Sequence, residues 1–105
     1  MTPIAPSPEV LKVAERVAWF VKPEDALKNP ITFLAHAMQY GTAADIVTLE
    51  RAGIGLDHFR EVLDDPPVGL FDPRSWAYWN LKCGRPVPPL PQRRFLHEGS
   101  AVSRG

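Results

Sequence analysis

Proline placement constrains this chain more than any other feature. Ser7-Pro8, Lys22-Pro23, Asn29-Pro30 and Asp72-Pro73 each stand where a helical stretch begins, and Pro66-Pro67 separates two others. Proline suits the first turn of a helix, where its missing amide is not needed, and breaks the interior of one. Twelve prolines in 105 residues thus set short helices with abrupt joints. No stretch alternates apolar and polar residues long enough to read as a strand.

The periodicity between the prolines fills in the helices. After the Ser7 cap, Val10, Leu11, Val13, Ala14, Val17, Ala18 and Val21 recur at helical spacing until Lys22-Pro23. Pro23 to Lys28 is room for one short turn. Asn29-Pro30 opens a stripe of Phe33, Leu34, Ala37 and Met38, with Gly41 expected to stop it in the left-handed conformation. Thr42 and Asp45 form a short capping box for a third helix, with Ile46, Val47 and Leu49 facing inward. Asp57 opens a fourth with Phe59, Val62 and Leu63, and Asp72-Pro73 a fifth that Gly84 ends. The reading is an all-α, compact bundle of about five short helices with an extended proline-rich C-terminal arm. Its expected parts are an extension over 1–6, a helical domain over 7–85, a basic arm over 86–96 and a flexible tail over 97–105.

The formal net charge of zero hides an asymmetry. Residues 57–72 carry five acids against Arg60, whereas from Arg74 onward six bases face Glu98 alone. A basic end of this kind favours an acidic protein face or a phosphate backbone. One cysteine excludes an intrachain disulfide framework and fits a reducing compartment. No apolar run approaches the roughly 18 residues of a membrane span, and no basic stretch leads into an apolar core as in a secretory signal. The expected setting is the cytoplasm.

Chemistry-bearing patterns are sparse. His36, His58, His97 and Cys83 have no metal-ligand spacing, and Gly53-Ile54-Gly55-Leu56 lacks the lysine or third glycine of a phosphate cradle. Asp64-Asp65 ahead of Pro66 reads as the solvated end of a helix. Ala37, Gly41 and Val47 are spaced as in a helix-turn-helix, but the second helix offers Asp45 and Glu50 to the phosphates and only Arg51 to attract them. No nucleophile–base pair, metal or cofactor is indicated, and no catalytic residue is assigned.

What stands out is aromatic. Trp76, Trp79 and Cys83 share one helical face at i, i+3 and i+7, while Phe71 and Tyr78 lie elsewhere around the same helix. Core packing is the ordinary use of such a stripe, yet not all four aromatics fit one face. Val87-Pro88-Pro89-Leu90-Pro91 then favours an extended left-handed helix with little entropy to lose on docking. It leads to Arg93, Arg94 and Phe95. Tyr78, Trp79, Arg93, Arg94 and Phe95 are therefore the expected partner-binding residues, because aromatic and arginine anchors dominate interfaces.

Tyr40-Gly41-Thr42 leading into Asp45-Ile46-Val47-x-Leu49, then Phe59-Arg60-Glu61-Val62-Leu63, then Ser75-Trp76-Ala77-Tyr78-Trp79-x-Leu81 resembles a family of small bacterial proteins. These are often encoded beside a nucleotidyltransferase of the abortive-infection or toxin–antitoxin type. The similarity runs from about Asn29 to Phe95. It implies an antitoxin-like or accessory partner of that nucleotidyltransferase rather than an enzyme, and supplies no catalytic residues. Two alternatives stand beside a protein-interaction module. One is weak, sequence-independent nucleic-acid binding through the basic tail; the other is catalysis from a site assembled across helices.

Overall fold

The computed structural model describes residues 1–90. Six helices and no strand occur among them: α1 Pro8–Val17, α2 Pro23–Leu27, α3 Pro30–Tyr40, α4 Ala43–Arg51, α5 Leu56–Asp64 and α6 Pro73–Lys82. The expected five become six because Pro23 starts a true helix of five residues, with Ala26 and Leu27 buried. The two ends of the expected arm and tail differ in standing: Val87 to Leu90 are described, whereas Arg93, Arg94, Phe95 and the 97–105 tail lie outside the described residues.

Local rules place most boundaries. The Ser7 hydroxyl accepts from the Val10 amide at 3.3 Å. Thr42 and Asp45 satisfy each other's amides, Thr42 N–H to Asp45 Oδ2 at 3.0 Å and Asp45 N–H to Thr42 Oγ1 at 3.2 Å. Asp72 accepts from Ser75 N–H at 2.7 Å, and Gly84 ends α6 at a φ of +75°.

Four expectations are corrected. Helix α1 stops at Val17 rather than near Lys22, so Val21 is exposed and outside the stripe. Asn29 makes no side-chain cap. The helix assigned to Asp57 starts at Leu56, where Gly55 N–H donates to His58 Nδ1 at 3.1 Å. Gly41 has a φ of −73°, not a left-handed one. Its glycine is required by a close approach instead: a Cβ there would sit 2.5 Å from the Ala37 carbonyl oxygen.

Helix α3 is the axis of the bundle and packs against all five others. Its residues say why. Phe33, Leu34, Ala35, Ala37 and Met38 are all buried, so the helix is apolar on nearly every side, as a central helix must be. Ala35 and Ala37 let neighbouring helices come close. Around it, Val10, Val13 and Val17 of α1, Leu49 of α4, and Phe59 and Val62 of α5 close the core. Each fully buried side chain of this size contributes roughly 1.5–3 kcal/mol.

Trp76 and Trp79 belong to that core, each 3% exposed. Trp79 stacks on Phe59 with ring centroids 4.9 Å apart, and its indole N–H donates to the Met38 carbonyl at 2.9 Å. Trp76 donates to the Pro88 carbonyl at 2.8 Å, and Leu90 packs onto the edge of the core. A buried indole N–H without an acceptor would cost about 1–3 kcal/mol, so the chain after α6 serves the core as well as crossing it.

Candidate apolar binding surfaces

Two apolar features flank the turn between α3 and α4. The first is a groove between α4 and α6. These helices do not pack against one another, and they leave a cleft of about 450 Å³ floored by Met38 and Trp79. Ile46 and Val47 form one wall, and Arg74, Tyr78 and Lys82 the other. The α6 wall is a stripe at i, i+4 and i+8, the spacing that puts side chains in line along one edge of a helix. Tyr78 is 54% exposed. The Lys82 ammonium lies 5.9 Å from its ring centroid, at the limit for a cation–π contact. Among the described residues, neither Arg74, Lys82 nor Glu50 forms an ion pair.

Asp72 sits at the start of that wall. It accepts from Ser75 N–H and from Gln39 Nε2 at 2.9 Å, while Asp72 N–H donates to Gln39 Oε1 at 3.1 Å. The Ser75 backbone bond, then the Gln39 side chain, holds its carboxyl below the ordinary value of 3.8. The effect is to clamp the N-terminus of α6 to the end of α3.

The second feature is a cluster of rings that sequence reading missed. Trp19, Phe20, His36 and Tyr40 form a closed circuit, with centroid separations of 5.4 Å (Trp19–Phe20), 5.1 Å (Phe20–His36), 6.0 Å (His36–Tyr40) and 6.5 Å (Trp19–Tyr40). Trp19 is 70% exposed, and Phe20 and Tyr40 are each 55% exposed. His36 is oriented by its Nδ1 on the Thr32 carbonyl at 2.8 Å. The early end of α1 creates the cluster, because Trp19 and Phe20 fall in the loop after it rather than on a helix face. A signal was present: two adjacent aromatics cannot both continue the Val10–Val17 stripe.

Of the residues expected to bind a partner, Tyr78 lies on the surface. Trp79 is 3% exposed, with its indole N–H donated to the Met38 carbonyl and its ring 4.9 Å from that of Phe59, and it reaches the groove only as part of its floor. Arg93, Arg94 and Phe95 lie outside the described residues. Val47, expected in the core, faces the groove instead. Without α6 against it, that side of α4 has no helix to bury it.

Other chemistry is thin. Cys83 is buried, and desolvation pushes its thiol above the ordinary value of 9.0 despite the nearby Arg60 and Arg85. Among the described residues, no three of His, Cys, Asp and Glu gather as a metal site would need, and no helix is long and apolar enough to cross a membrane.

No protein-family model, curated protein or solved structure matches the chain. That result overturns the assignment drawn from the short resemblance. The antitoxin-like role beside a nucleotidyltransferase, the bacterial source and the cytoplasmic setting have no relative to support them and are set aside. What defines the chain, among the described residues, is its architecture: an all-α bundle with an exposed ring cluster and a groove of mixed polarity between α4 and α6.

Proposed function

We propose that the chain is a non-catalytic protein-interaction module. The observation that carries this reading is the split among its aromatics. Phe33, Phe59, Phe71, Trp76 and Trp79 fill the core, while Trp19, Phe20, Tyr40 and Tyr78 stand more than half exposed. A small domain that can bury five large rings gains nothing for folding by leaving four in water. An exposed ring cluster such as Trp19, Phe20 and Tyr40 marks a site where another macromolecule docks. Aromatic residues are also the side chains that carry interface energy.

In this reading Pro86 to Leu90 are the start of a proline-rich arm, tied to Trp76 through the Pro88 carbonyl. It gives the Trp76 indole N–H its acceptor and lays Leu90 against the core. The test is affinity capture with the full chain against Trp19→Ser and Tyr78→Ser, both at exposed positions and checked for an unchanged far-ultraviolet spectrum. Loss of a captured protein in either variant is expected. Capture of the same proteins by all three chains would refute the reading.

A further inference from the structure

The geometry points to an amphipathic helix with an acidic edge as the occupant of the α4/α6 groove, an inference that rests on the interaction-module reading. Three observations converge on it. The walls are themselves helices, α4 of nine residues and α6 of ten. Their backbone amides and carbonyls are spent on their own helical ladders. An extended peptide laid between them would find no main-chain partners, in contrast to one added to a sheet edge. A helix satisfies its own backbone and needs from the groove only apolar contact.

The second observation is the shape. Helices α4 and α6 both pack on α3 yet not on each other. The groove is thus the berth another helix takes in a bundle, with side chains from the occupant entering between the ridges of its neighbours. Met38 and Trp79 give it an apolar floor, and Ile46 and Val47 an apolar wall. Helix α6 is about 15 Å long at 1.5 Å per residue, so it matches two to three turns of an occupant.

The third is charge. Arg74 and Lys82 stand two turns apart on the α6 wall with Tyr78 between them, and neither is paired among the described residues. The carboxylate of Asp72, at the end of this wall, is engaged by Gln39 and Ser75. Glu50 is the acid on the opposite wall. A helix with carboxylates about two turns apart on the edge facing α6 meets both cations, and its apolar stripe meets the floor. Glu50 opposes the same carboxylates and sets the sense of a charge swap.

The experiment titrates the full chain with labelled synthetic peptides of about 16 residues, read by fluorescence anisotropy. One is an amphipathic helix with a leucine stripe and a glutamate edge; the second has the same stripe and a lysine edge. The third scrambles the first, keeping its composition, and the fourth is an extended proline-rich sequence. Only the first is expected to bind. Arg74→Glu with Lys82→Glu weakens it by about tenfold, as two exposed attractions become repulsions. Glu50→Lys tightens it, and raising salt from about 0.05 M to about 0.5 M weakens it. Equal binding of the acidic and lysine-edged helices overturns the charge assignment, and preference for the scrambled or proline-rich peptide overturns the helix. Self-association through the groove, seen by sedimentation and abolished by Tyr78→Ser, assigns it to a second copy and also overturns the inference. No peptide binding alongside capture that depends on Tyr78 or Trp19 refutes the acidic helix alone; no peptide binding together with capture unchanged by both Tyr78→Ser and Trp19→Ser removes the interaction-module reading as well.

Discussion

Replacing Arg16 with methionine takes the cation away from a carboxylate that has almost no access to water. The Asp45 side chain is 3% exposed and that of Arg16 57%. Asp45 Oδ1 accepts from the Arg16 guanidinium, and Oδ2 from the Thr42 amide. The two partners are therefore unequal. Arg16 loses little if Asp45 is removed, because its head already reaches solvent. Asp45 loses much if Arg16 is removed, because it remains buried with one amide for company. A hydrogen bond to a charged group contributes about 1.5–3 kcal/mol, so Arg16→Met should cost about 2–3 kcal/mol, with the methionine retaining the stem's packing. Asp45→Asn keeps an acceptor for the cap and removes the charge, at an expected cost of about 1 kcal/mol. In that background, Arg16→Met should cost less than about 1 kcal/mol, a coupling of roughly 1.5–2 kcal/mol. Urea unfolding read by fluorescence of the buried Trp76 and Trp79 measures all four corners. A domain of this size has about 5–13 kcal/mol of stability, so every variant stays folded. If Arg16→Met costs less than Asp45→Asn, or the coupling is near zero, the reasoning from unequal burial is wrong.

Gly41→Ala should destabilise by about 1–3 kcal/mol, because its Cβ meets the rigid Ala37 carbonyl; an unchanged urea midpoint would show that the chain relaxes there freely. Trp76→Phe removes the donor to the Pro88 carbonyl and should cost about 1 kcal/mol. Amide hydrogen exchange at Arg85, whose N–H donates to the Asn80 carbonyl at 3.0 Å, should then be faster than in the parent, and equal rates would show that this bond does not hold the segment after α6. The depressed Asp72 carboxyl gives a signed pH effect. Its contribution to stability is whole above the ordinary carboxylate value and is lost as pH falls through the lower folded value. Asp72→Asn should flatten the stability profile below the ordinary carboxylate value of 3.8, and a profile parallel to the parent's would reject the role of the clamp.

Features that depend on neighbours along the chain were legible from residue types alone. Ser7, Thr42 with Asp45, and Asp72 cap helices through atoms three residues away, so the residue types and their spacing carry the information. The prolines and Gly84 likewise act on their own backbone. The all-α class follows from these signals, and the miscount of helices came from a segment too short to show a period. Tertiary structure decided which apolar residues are buried. Val47 and Leu49 look alike in sequence, yet Leu49 is buried beneath neighbouring helices and Val47 opens onto a groove, because α6 passes α4 at a distance. Trp79 and Tyr78 are adjacent, and one faces Phe59 while the other faces water. The ring cluster of Trp19, Phe20, His36 and Tyr40 joins residues from the loop after α1 and from the middle and end of α3. Such proximities are set by how helices cross, and hydrophobic burial is non-directional: the pattern says that a residue seeks cover, and only the packed bundle says whether cover is there.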